Sequence, residues 1–191
     1  MPRQAGSCRS CRTLAPMASV VVVPFSSEWS KRFAEIRSEL QSVFPAEDVR
    51  IEHIGSTSVQ GLAAKPIIDV LLGVESLASI EGRIQALSRL GYEYIAKYES
   101  QLPMRRYFVR AQTGLAPGVH VHGVQLASQF WAEHILFREC LRASPELVRQ
   151  YQELKVRLAS QFSDDVIAYT AAKAPFISSV LASRQREQNV G

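Results

Sequence analysis

A turn rich in glycine and hydroxyl side chains precedes a strand with a single carboxylate. The turn, Gly55-Ser56-Thr57-Ser58, follows the alternating segment 49–54, which is typical of a strand. Backbone N–H groups and hydroxyls at such a turn suit phosphate, and a glycine allows close approach. Lys65 adds a mobile positive charge, and a carboxylate at Asp69 could hold a divalent ion that bridges phosphates. We therefore predict that Gly55, Ser56, Thr57, Ser58 and Lys65 bind phosphate, and that Asp69 is catalytic and binds metal.

The same residues also have a purely structural interpretation. A serine in this turn can cap a helix, and Asp69 can serve only as the partner of a salt bridge. The segment matches neither of the common nucleotide signatures, G-x-x-x-x-G-K-[ST] and G-x-G-x-x-G. The turn alone therefore favours a phosphate site without establishing one.

Two histidines form a second group of candidates. His120 and His122 lie two positions apart in the segment 119–126, which is predicted to be a strand, so both face the same side. Imidazole can carry a proton, donate to a phosphate or bind a transition metal. The alternative is a pair of hydrogen-bonded strand histidines without a catalytic role. We predict that both line a catalytic cleft.

The composition excludes several classes of protein. Hydrophobic residues make up 47% of the 191 residues and charged residues 21%, which excludes a disordered or low-complexity chain. The net charge is +4, but Arg3, Arg9 and Arg12 lie in residues 1–16, which contain no acid. The remainder is nearly neutral, and this argues against a long nucleic acid as partner.

Residues 1–16 are expected to lie outside the folded domain. Cys8 and Cys11 form a C-x-x-C there, but a zinc site needs a second pair of ligands and a redox motif needs a preceding strand. No apolar run approaches the roughly 20 residues of a membrane span, and a signal core is missing, so we expect a cytoplasmic chain without a membrane partner. Met17 is an alternative start. The predicted organisation is a basic leader 1–16, one domain 17–186 and a flexible tail 187–191.

Hydrophobic periodicity predicts the elements that must position these side chains. Trp29, Phe33, Ile36 and Leu40 recur at helical spacing, and the apolar run 67–74 indicates a central strand buried on both faces. The remaining segments are a helix from Ser76 to Leu90, a short strand 92–96, a loop 97–104, a hairpin of strands 105–111 and 119–126, and helices 130–142, 145–161 and 164–186, the last kinked or split at Pro175. This order predicts an α+β fold, with a mixed sheet flanked by helices and a C-terminal group of three helices.

Short motifs spread over residues 20–183 resemble the GrpB family (UPF0157). They are His53-Ile54-Gly55-Ser56-Thr57-Ser58, Gly61-Leu62, Lys65-Pro66-Ile67-Ile68-Asp69, Arg106, His120-Val121-His122, Phe137-Arg138 with Leu141-Arg142, Tyr151-Gln152-Glu153-Leu154-Lys155, and Tyr169 with Lys173. The resemblance implies the nucleotidyltransferase superfamily, with a fold like that of polymerase β. It also implies fusion to dephospho-coenzyme A kinase in some bacteria, and an activity that is poorly defined for the family. Lys173 becomes a cleft candidate on this ground, and Arg106 is expected to neutralise phosphate beside Lys65.

One departure from the superfamily pattern bears on metal binding. The superfamily usually carries Asp-x-Asp or Asp-x-Glu on this strand and a third acid on a later one, which together hold two metal ions. Asp69 stands alone, and the missing position is either Leu71 or Ile67. Glu52 is a candidate substitute metal ligand, as are the two histidines. The sequence leaves open whether Glu52 or His53 faces the cleft.

Two hypotheses for the function follow. In the first, the protein binds a nucleoside triphosphate or another small phosphate ligand with Mg²⁺ or Mn²⁺ and no organic cofactor, and transfers a nucleotidyl group to a small molecule or protein. In the second, it is an inactive binding or partner module that supports an enzyme of coenzyme A or nucleotide metabolism. RNA binding is disfavoured, because no basic run with interleaved aromatic residues is present.

Overall fold

The predicted order of helices and strands is confirmed by the computed structural model, which describes residues 20–44 and 49–190. The leader 1–16 with its two cysteines and the terminal Gly191 lie outside the described residues. The elements are α1 (Glu28–Val43), β1 (Val49–Ile54), β2 (Ile67–Val74), α2 (Leu77–Glu81), α3 (Ile84–Arg89), β3 (Glu93–Tyr94), β4 (Arg105–Arg110), β5 (Gly118–Gln125), α4 (Gln129–Ala143), α5 (Pro145–Gln161), α6 (Val166–Ala172) and α7 (Ala174–Val190).

The helical regions differ from the predictions in two places. The helix expected from Ser76 to Leu90 is divided at Gly82 and Arg83 into α2 and α3. The last helix is split at Lys173, two residues before the predicted break, and α7 continues to Val190 through most of the segment predicted as a flexible tail. Residues 184–190 contain neither glycine nor proline, and an ion pair one turn apart between Arg184 and Glu187 supports the helix.

One helical stretch, Val166–Glu187, is long and apolar enough by length and composition to cross a membrane. It consists of α6 and most of α7, and only 11% of its most apolar segment of 18 residues is buried in the fold. Lys173 interrupts it, and length and composition alone are weak grounds for a membrane span.

The five strands form one mixed sheet in the order β1-β2-β5-β4-β3. The central pair, β2 and β5, is parallel, and the other pairs are antiparallel. The register places Asp69 beside His120, and His122 lies between Leu71 and Tyr107. Because side chains of paired residues point to the same face, Asp69, both histidines and Tyr107 share one face of the sheet.

The two faces of the sheet are covered differently. Helices α1, α2 and α3 pack on one face over a core that includes Ile36, Leu40, Ile68, Val70 and Phe108. On the other face, α4 covers only a small cluster of Ile54, Leu71 and Val124. The end of this face that carries Asp69 is therefore left for the cleft.

The turn after β1 is fixed to β2 by a short hydrogen-bond chain. Thr57 donates its hydroxyl to the carbonyl of Ile67 (3.1 Å), and its oxygen lies 3.0 Å from Nε2 of His53. Since the single hydroxyl proton is used on Ile67, His53 must be the donor to Thr57. His53 stacks on Phe33 of α1 at 4.7 Å between ring centres, on the face opposite Asp69.

Helix α5 holds the segment between the turn and β2. Gln152 accepts the N–H of Ala63 at 3.0 Å, and the amine of Lys155 donates to the carbonyl of the same residue. Both backbone polar groups of Ala63 are thus bound by one helix face. This contact fixes the path of the chain into Lys65 and β2.

Acidification is expected to destabilise the fold through His53. Burial lowers the pKa of His53 from 6.5 to about 4, so the folded state holds this ring neutral. Between these two values the unfolded chain binds more protons, and the stabilisation present above pH 6.5 is lost as the pH falls towards 4. The contribution of this one group is about 3 kcal/mol.

Urea unfolding measured between pH 7 and pH 4 provides the test. The variant His53→Gln should lose stability at pH 7 and show a flatter dependence of the unfolding free energy on pH than the parent chain. Equal slopes in the two proteins would contradict this role of His53.

Candidate functional site

A cleft of about 540 Å³ opens on the sheet face that carries Asp69. Its lining comes from the turn, from β2, β4 and β5, and from α5 and α6, so sheet and C-terminal helices both contribute. Among the described residues that line it are one carboxylate, two imidazoles and four basic side chains, namely Asp69, His120, His122, Lys65, Arg105, Lys155 and Lys173.

Both histidines face the same oxygen of Asp69. Nδ1 of His120 lies 3.5 Å and Nε2 of His122 lies 3.7 Å from Oδ1. Burial alone would raise the pKa of Asp69, but the interactions with His120 and His122 outweigh it and hold the pKa well below its usual range. Asp69 is therefore a permanent anion at neutral pH.

The tautomer of His122 follows from its second neighbour. Nη1 of Arg105 lies 3.3 Å from Nδ1 of His122, and a guanidinium can only donate. Nδ1 is then the acceptor, and the proton of the neutral ring sits on Nε2, which faces Asp69. Burial lowers the pKa of His122, which agrees with a neutral ring. His122 links Arg105 to Asp69, whereas His120 uses only Nδ1 on this carboxylate.

The four basic side chains of the cleft lie against aromatic rings. The ring of Tyr169 has the amine of Lys173 at 4.5 Å and that of Lys65 at 5.9 Å, and Arg105 lies over Tyr107 at 4.6 Å. Burial lowers the pKa of each of the two lysines and of Arg105. The cleft therefore holds partly desolvated cations whose contacts are chiefly to rings.

Lys155 is the most buried of these cations. Only 2% of the residue is exposed, and its amine lies 5.0 Å from the centre of the Tyr151 ring. Burial, with a smaller contribution from the charge of Lys173, lowers the pKa of Lys155 to about 7. At neutral pH this amine is close to half protonated, and a nearby anion would favour its charged form.

The three hydroxyl residues of the turn differ in their position and in their hydrogen bonds. Ser56 lines the cleft. Thr57 also borders it, but its hydroxyl is used on Ile67. Ser58 donates both its hydroxyl and its N–H to the carbonyl of Gly55 and does not line the cleft. The expected phosphate cradle is thus reduced to Ser56 within the turn.

Gly55 has a different role from the one expected. Its φ of 68° and ψ of −175° suit only glycine, and a Cβ at this position would collide with Oδ2 of Asp69. The residue does not line the cleft but borders a second pocket on the other side of Asp69. Gly55 therefore allows the turn to approach the carboxylate closely.

The predicted position of Arg106 in the cleft is corrected by the structure. Arg106 points to the opposite face of the sheet, where Nε and Nη2 bind Oε1 of Glu81 at 2.8 and 2.6 Å. Glu99 lies 3.6 Å from its Nη1. The neighbouring Arg105 takes the cleft position, because residues alternate between the faces of β4.

Glu52 is also not brought to the cleft. It lies on the same sheet face as Asp69, which settles the orientation that the sequence left open, but its carboxylate binds Nη1 of Arg138 at 2.7 Å. Arg138 additionally donates to the carbonyl of His53 and joins α4 to β1. Glu52 is thus held in a structural ion pair.

The residues present do not fit a centre for two divalent ions. Of the two positions that flank Asp69 on its face, Ile67 lines the cleft and Leu71 is fully buried. Among residues 20–44 and 49–190, no group of three or more His, Cys, Asp or Glu side chains could hold a metal ion. A single carboxylate among several cations lacks the oxygen ligands that two Mg²⁺ ions need.

Three residues of the site were not assigned to it from the sequence. Arg105 and Tyr107 lie on β4 opposite β5, and their side of the sheet depends on a register that the hairpin turn sets. Lys155 could have been found, because Tyr151, Lys155 and Leu158 form the buried stripe of α5, and a lysine within such a stripe is unusual.

Comparison with known proteins gives consistent matches. The family model described as GrpB protein matches residues 19–183. The chain is 34% identical over 173 residues to the UPF0157 protein YqkA of Bacillus subtilis, with 91% of this chain and 49% of that protein covered. It is 31% identical over 183 residues to a protein named dephospho-CoA kinase from Mycolicibacterium paratuberculosis, with 83% of this chain and 44% of that protein covered. The chain thus spans about half of the length of either relative.

Solved structures agree with the sequence comparison. The crystal structure of the conserved protein GrpB from Enterococcus faecalis has a TM-score of 0.77 and 32% identity, and the match covers 88% of this chain and 99% of that one. The Cid1 poly(U) polymerase has a TM-score of 0.52 at 10% identity, with 78% of this chain and 49% of that chain covered, which supports a nucleotidyltransferase-like fold. With the family model extending over residues 19–183, this chain belongs to the GrpB protein family.

Proposed function

We propose that the cleft binds a nucleoside triphosphate or a similar small phosphate ligand. The observation that carries this proposal is the excess of positive charge in the cleft. Four basic side chains face one carboxylate, and that carboxylate is already occupied by two imidazoles. The cleft volume of about 540 Å³ lies within the usual range of small-molecule sites.

The energetics of these cations favour an anionic ligand. Burying several charges beside a single counter-charge is costly, and the lowered pKa values of Lys65, Lys155 and Lys173 express that cost. A bound phosphate would supply the missing counter-charge through charge-assisted hydrogen bonds, which are stronger than neutral ones. Arg105 would then contact the phosphate directly, and its contact with His122 would hold the guanidinium in the required orientation.

The mouth of the cleft offers surfaces for a nucleoside. Tyr98 and Tyr107 lie edge to face at 6.0 Å, and both line the cleft. Ile167 on α6 also lines it and is 79% exposed, which is unusual for a large apolar side chain. An aromatic base placed against these side chains would cover apolar surface, so a nucleotide suits the cleft better than inorganic phosphate.

Group transfer is the activity that this ligand and the fold suggest. The Cid1 structure that shares the fold is described with Mg and 3′-dATP bound, and transfer of a nucleotidyl group would be the corresponding reaction in this chain. In this chain, Asp69 and His120 would act at the reacting phosphate, with His122 held as a neutral donor to Asp69. Whether Mg²⁺ or Mn²⁺ accompanies the ligand stays a prediction.

The second candidate function is a non-catalytic partner module. It is favoured by the apolar residues Ile67 and Leu71, which stand where the superfamily pattern would have a second acid. It is also favoured by the likeness to part of a protein named dephospho-CoA kinase, since a module within a longer protein can assist another enzyme. In this case ligand binding at the cleft would regulate the partner.

Neighbouring arginines on opposite sheet faces provide a matched test of ligand binding. Arg105→Met should weaken binding of the best of ATP, CTP, GTP and UTP by roughly tenfold or more, because a charged hydrogen bond to phosphate is lost. Arg106→Met should leave the affinity unchanged and cost only stability, because Arg106 binds Glu81 on the other face. Isothermal calorimetry with and without Mg²⁺ measures both. Equal effects of the two substitutions would contradict the assignment of the cleft.

The affinity for a phosphate ligand is expected to fall at alkaline pH. Lys155 has a pKa of about 7 in the free protein, and a bound phosphate would raise it. Proton uptake then accompanies binding, so between pH 7.5 and 9 the dissociation constant should rise by up to about tenfold per pH unit. Lys155→Met should bind more weakly at pH 7 and show a shallower dependence. Calorimetry in buffers of different ionisation enthalpy would reveal the proton uptake, and its absence would exclude this role.

Asp69→Asn distinguishes the two candidate functions. If the protein transfers a nucleotidyl group, this variant should lose transfer of radiolabelled nucleotide by about a hundredfold or more while keeping or tightening nucleotide binding, because a negative charge leaves the cleft. If the protein is a partner module, no transfer is seen in either form. His53 lies on the other sheet face, so the variant His53→Gln is the control: it shows how much transfer is lost when only the stability of the protein falls.

A further inference from the structure

A second pocket lies on the other side of Asp69. Its volume is about 240 Å³, and Asp69 and His122 line both this pocket and the cleft. Apolar and aromatic side chains from β1, α4, α5 and α7 form most of its wall, namely Ile54, Phe137, Leu141, Tyr151, Ile177 and Leu181. The same carboxylate thus separates a cationic compartment from an apolar one.

His134, which belongs to none of the sequence motifs, also lines the second pocket. Nδ1 of His134 lies 2.8 Å from the carbonyl of Phe130, and a carbonyl can only accept, so Nδ1 carries the proton. The remaining nitrogen, Nε2, is therefore an acceptor. Burial lowers the pKa of His134, so the ring is neutral at physiological pH. Its ring lies 6.4 Å from that of His122.

The charged residues of the pocket are already engaged. Glu133 accepts from the side chain of Gln129 at 2.7 Å, and Arg138 binds Glu52, Glu139 and the carbonyl of His53. An additional ionic ligand would have to compete with these contacts. The neutral acceptor on His134 and the apolar wall instead match a ligand that is uncharged and carries one hydrogen-bond donor.

We propose that the second pocket is the acceptor site and that it binds a small neutral alcohol with a compact apolar body. Its volume lies below that of pockets for drug-sized ligands, which sets the size of the body. The hydroxyl would lie between His134 and Asp69, on the side of Asp69 away from the cluster of cations. This proposal rests on the proposed function, because it names the class of acceptor for the same reaction.

The proposed transfer to the alcohol needs only the side chains of the two pockets and the phosphate ligand. The O–H bond of the alcohol breaks and its proton passes to Nε2 of His134, which becomes an imidazolium. The alcohol oxygen forms a bond to the phosphorus of the phosphate ligand in the cleft. The bond from that phosphorus to the oxygen of the leaving phosphate group breaks, and the leaving group keeps the electron pair. The basic side chains of the cleft stabilise the charge that it gains.

The test begins with the protein alone, without nucleotide. Nuclear magnetic resonance of the protein with labelled isoleucine and leucine methyl groups is recorded while 2-phenylethanol is added. The methyl signals of Ile54, Leu141, Ile177 and Leu181 should shift, and those of Ile36 and Leu40 in the core beyond the sheet should not. The methyl ether of the same alcohol should bind roughly fivefold more weakly, because it cannot donate to His134.

Three variants make the test specific. Ile177→Trp fills the pocket and should abolish the shifts at Ile54 and Leu181, whereas Val156→Trp on the exposed side of α5 should not. His134→Leu should bind the alcohol and the ether equally. Shifts that survive Ile177→Trp, or that occur at Ile36 and Leu40, would overturn the proposal. So would an unchanged preference for the alcohol in His134→Leu.

The test of the alcohol site can fail or succeed independently of the test of nucleotide binding. Methyl shifts with the alcohol in a protein that binds no nucleotide would support the alcohol site and overturn the phosphate ligand and the transfer step. Nucleotide binding without any methyl shift would keep the phosphate site and overturn the acceptor site. Tighter binding of the alcohol when nucleotide is present, by a few-fold, is the result expected if both are correct.

Discussion

The parallel pairing of β2 with β5 determines the arrangement of the candidate site. It places the single carboxylate of the central strand, Asp69, beside His120 and within reach of His122. A carboxylate in this partly enclosed position would be costly without partners, and the two imidazoles keep it ionised. The antiparallel addition of β4 then brings Arg105 to His122 and fixes the ring as a neutral donor. The site is therefore built outward from one strand pair.

Charge is distributed very unevenly around this centre. Helices α1 to α3 pack over an apolar core on one face of the sheet, whereas α5 and α6 border a cleft with desolvated cations on the other. Desolvated cations reduce the stability of the folded protein, and groups with strongly shifted pKa values cluster at functional sites. In this protein, cation–π contacts with the rings of Tyr107, Tyr151 and Tyr169 reduce the free-energy cost of burying these cations without neutralising their charge. The arrangement leaves the electrostatic interaction available to an anion.

Much of the fold could be predicted from local patterns, but less of the site. The limits of β1, β2 and α5 followed from periodicity and from preferences that act within a few residues. Asp69, His120 and His122 were expected in one cleft, and they lie together because two adjacent strands carry them. Arg106 was expected in the cleft because it belongs to the family motif. Whether Arg105 or Arg106 faces the cleft depends on the register of a hairpin, and a shift of one residue reverses both faces.

Other features depended on distant contacts that no local pattern contains. Thr57 was expected to bind phosphate, but its hydroxyl is used on Ile67 ten residues away. His134 gained significance only because α4 returns across the sheet beside Asp69. Glu52 was expected near a metal, and its partner Arg138 is 86 residues away in the chain. Each of these outcomes required the tertiary structure, because the contacts join elements that are separate in the sequence.

The hydrogen bonds from α5 to both backbone polar groups of Ala63 affect the dynamics of the protein. Opening of the segment that leads into Lys65 and opening of the helix that carries Lys155 are coupled, because either one breaks the same two hydrogen bonds. They form one cooperative unit of local unfolding, although they are about 90 residues apart in sequence. A ligand held by both lysines would slow hydrogen exchange in the turn and in α5 together. The C-terminal helices would thereby report, through their protection, whether the cleft at the centre of the sheet is occupied.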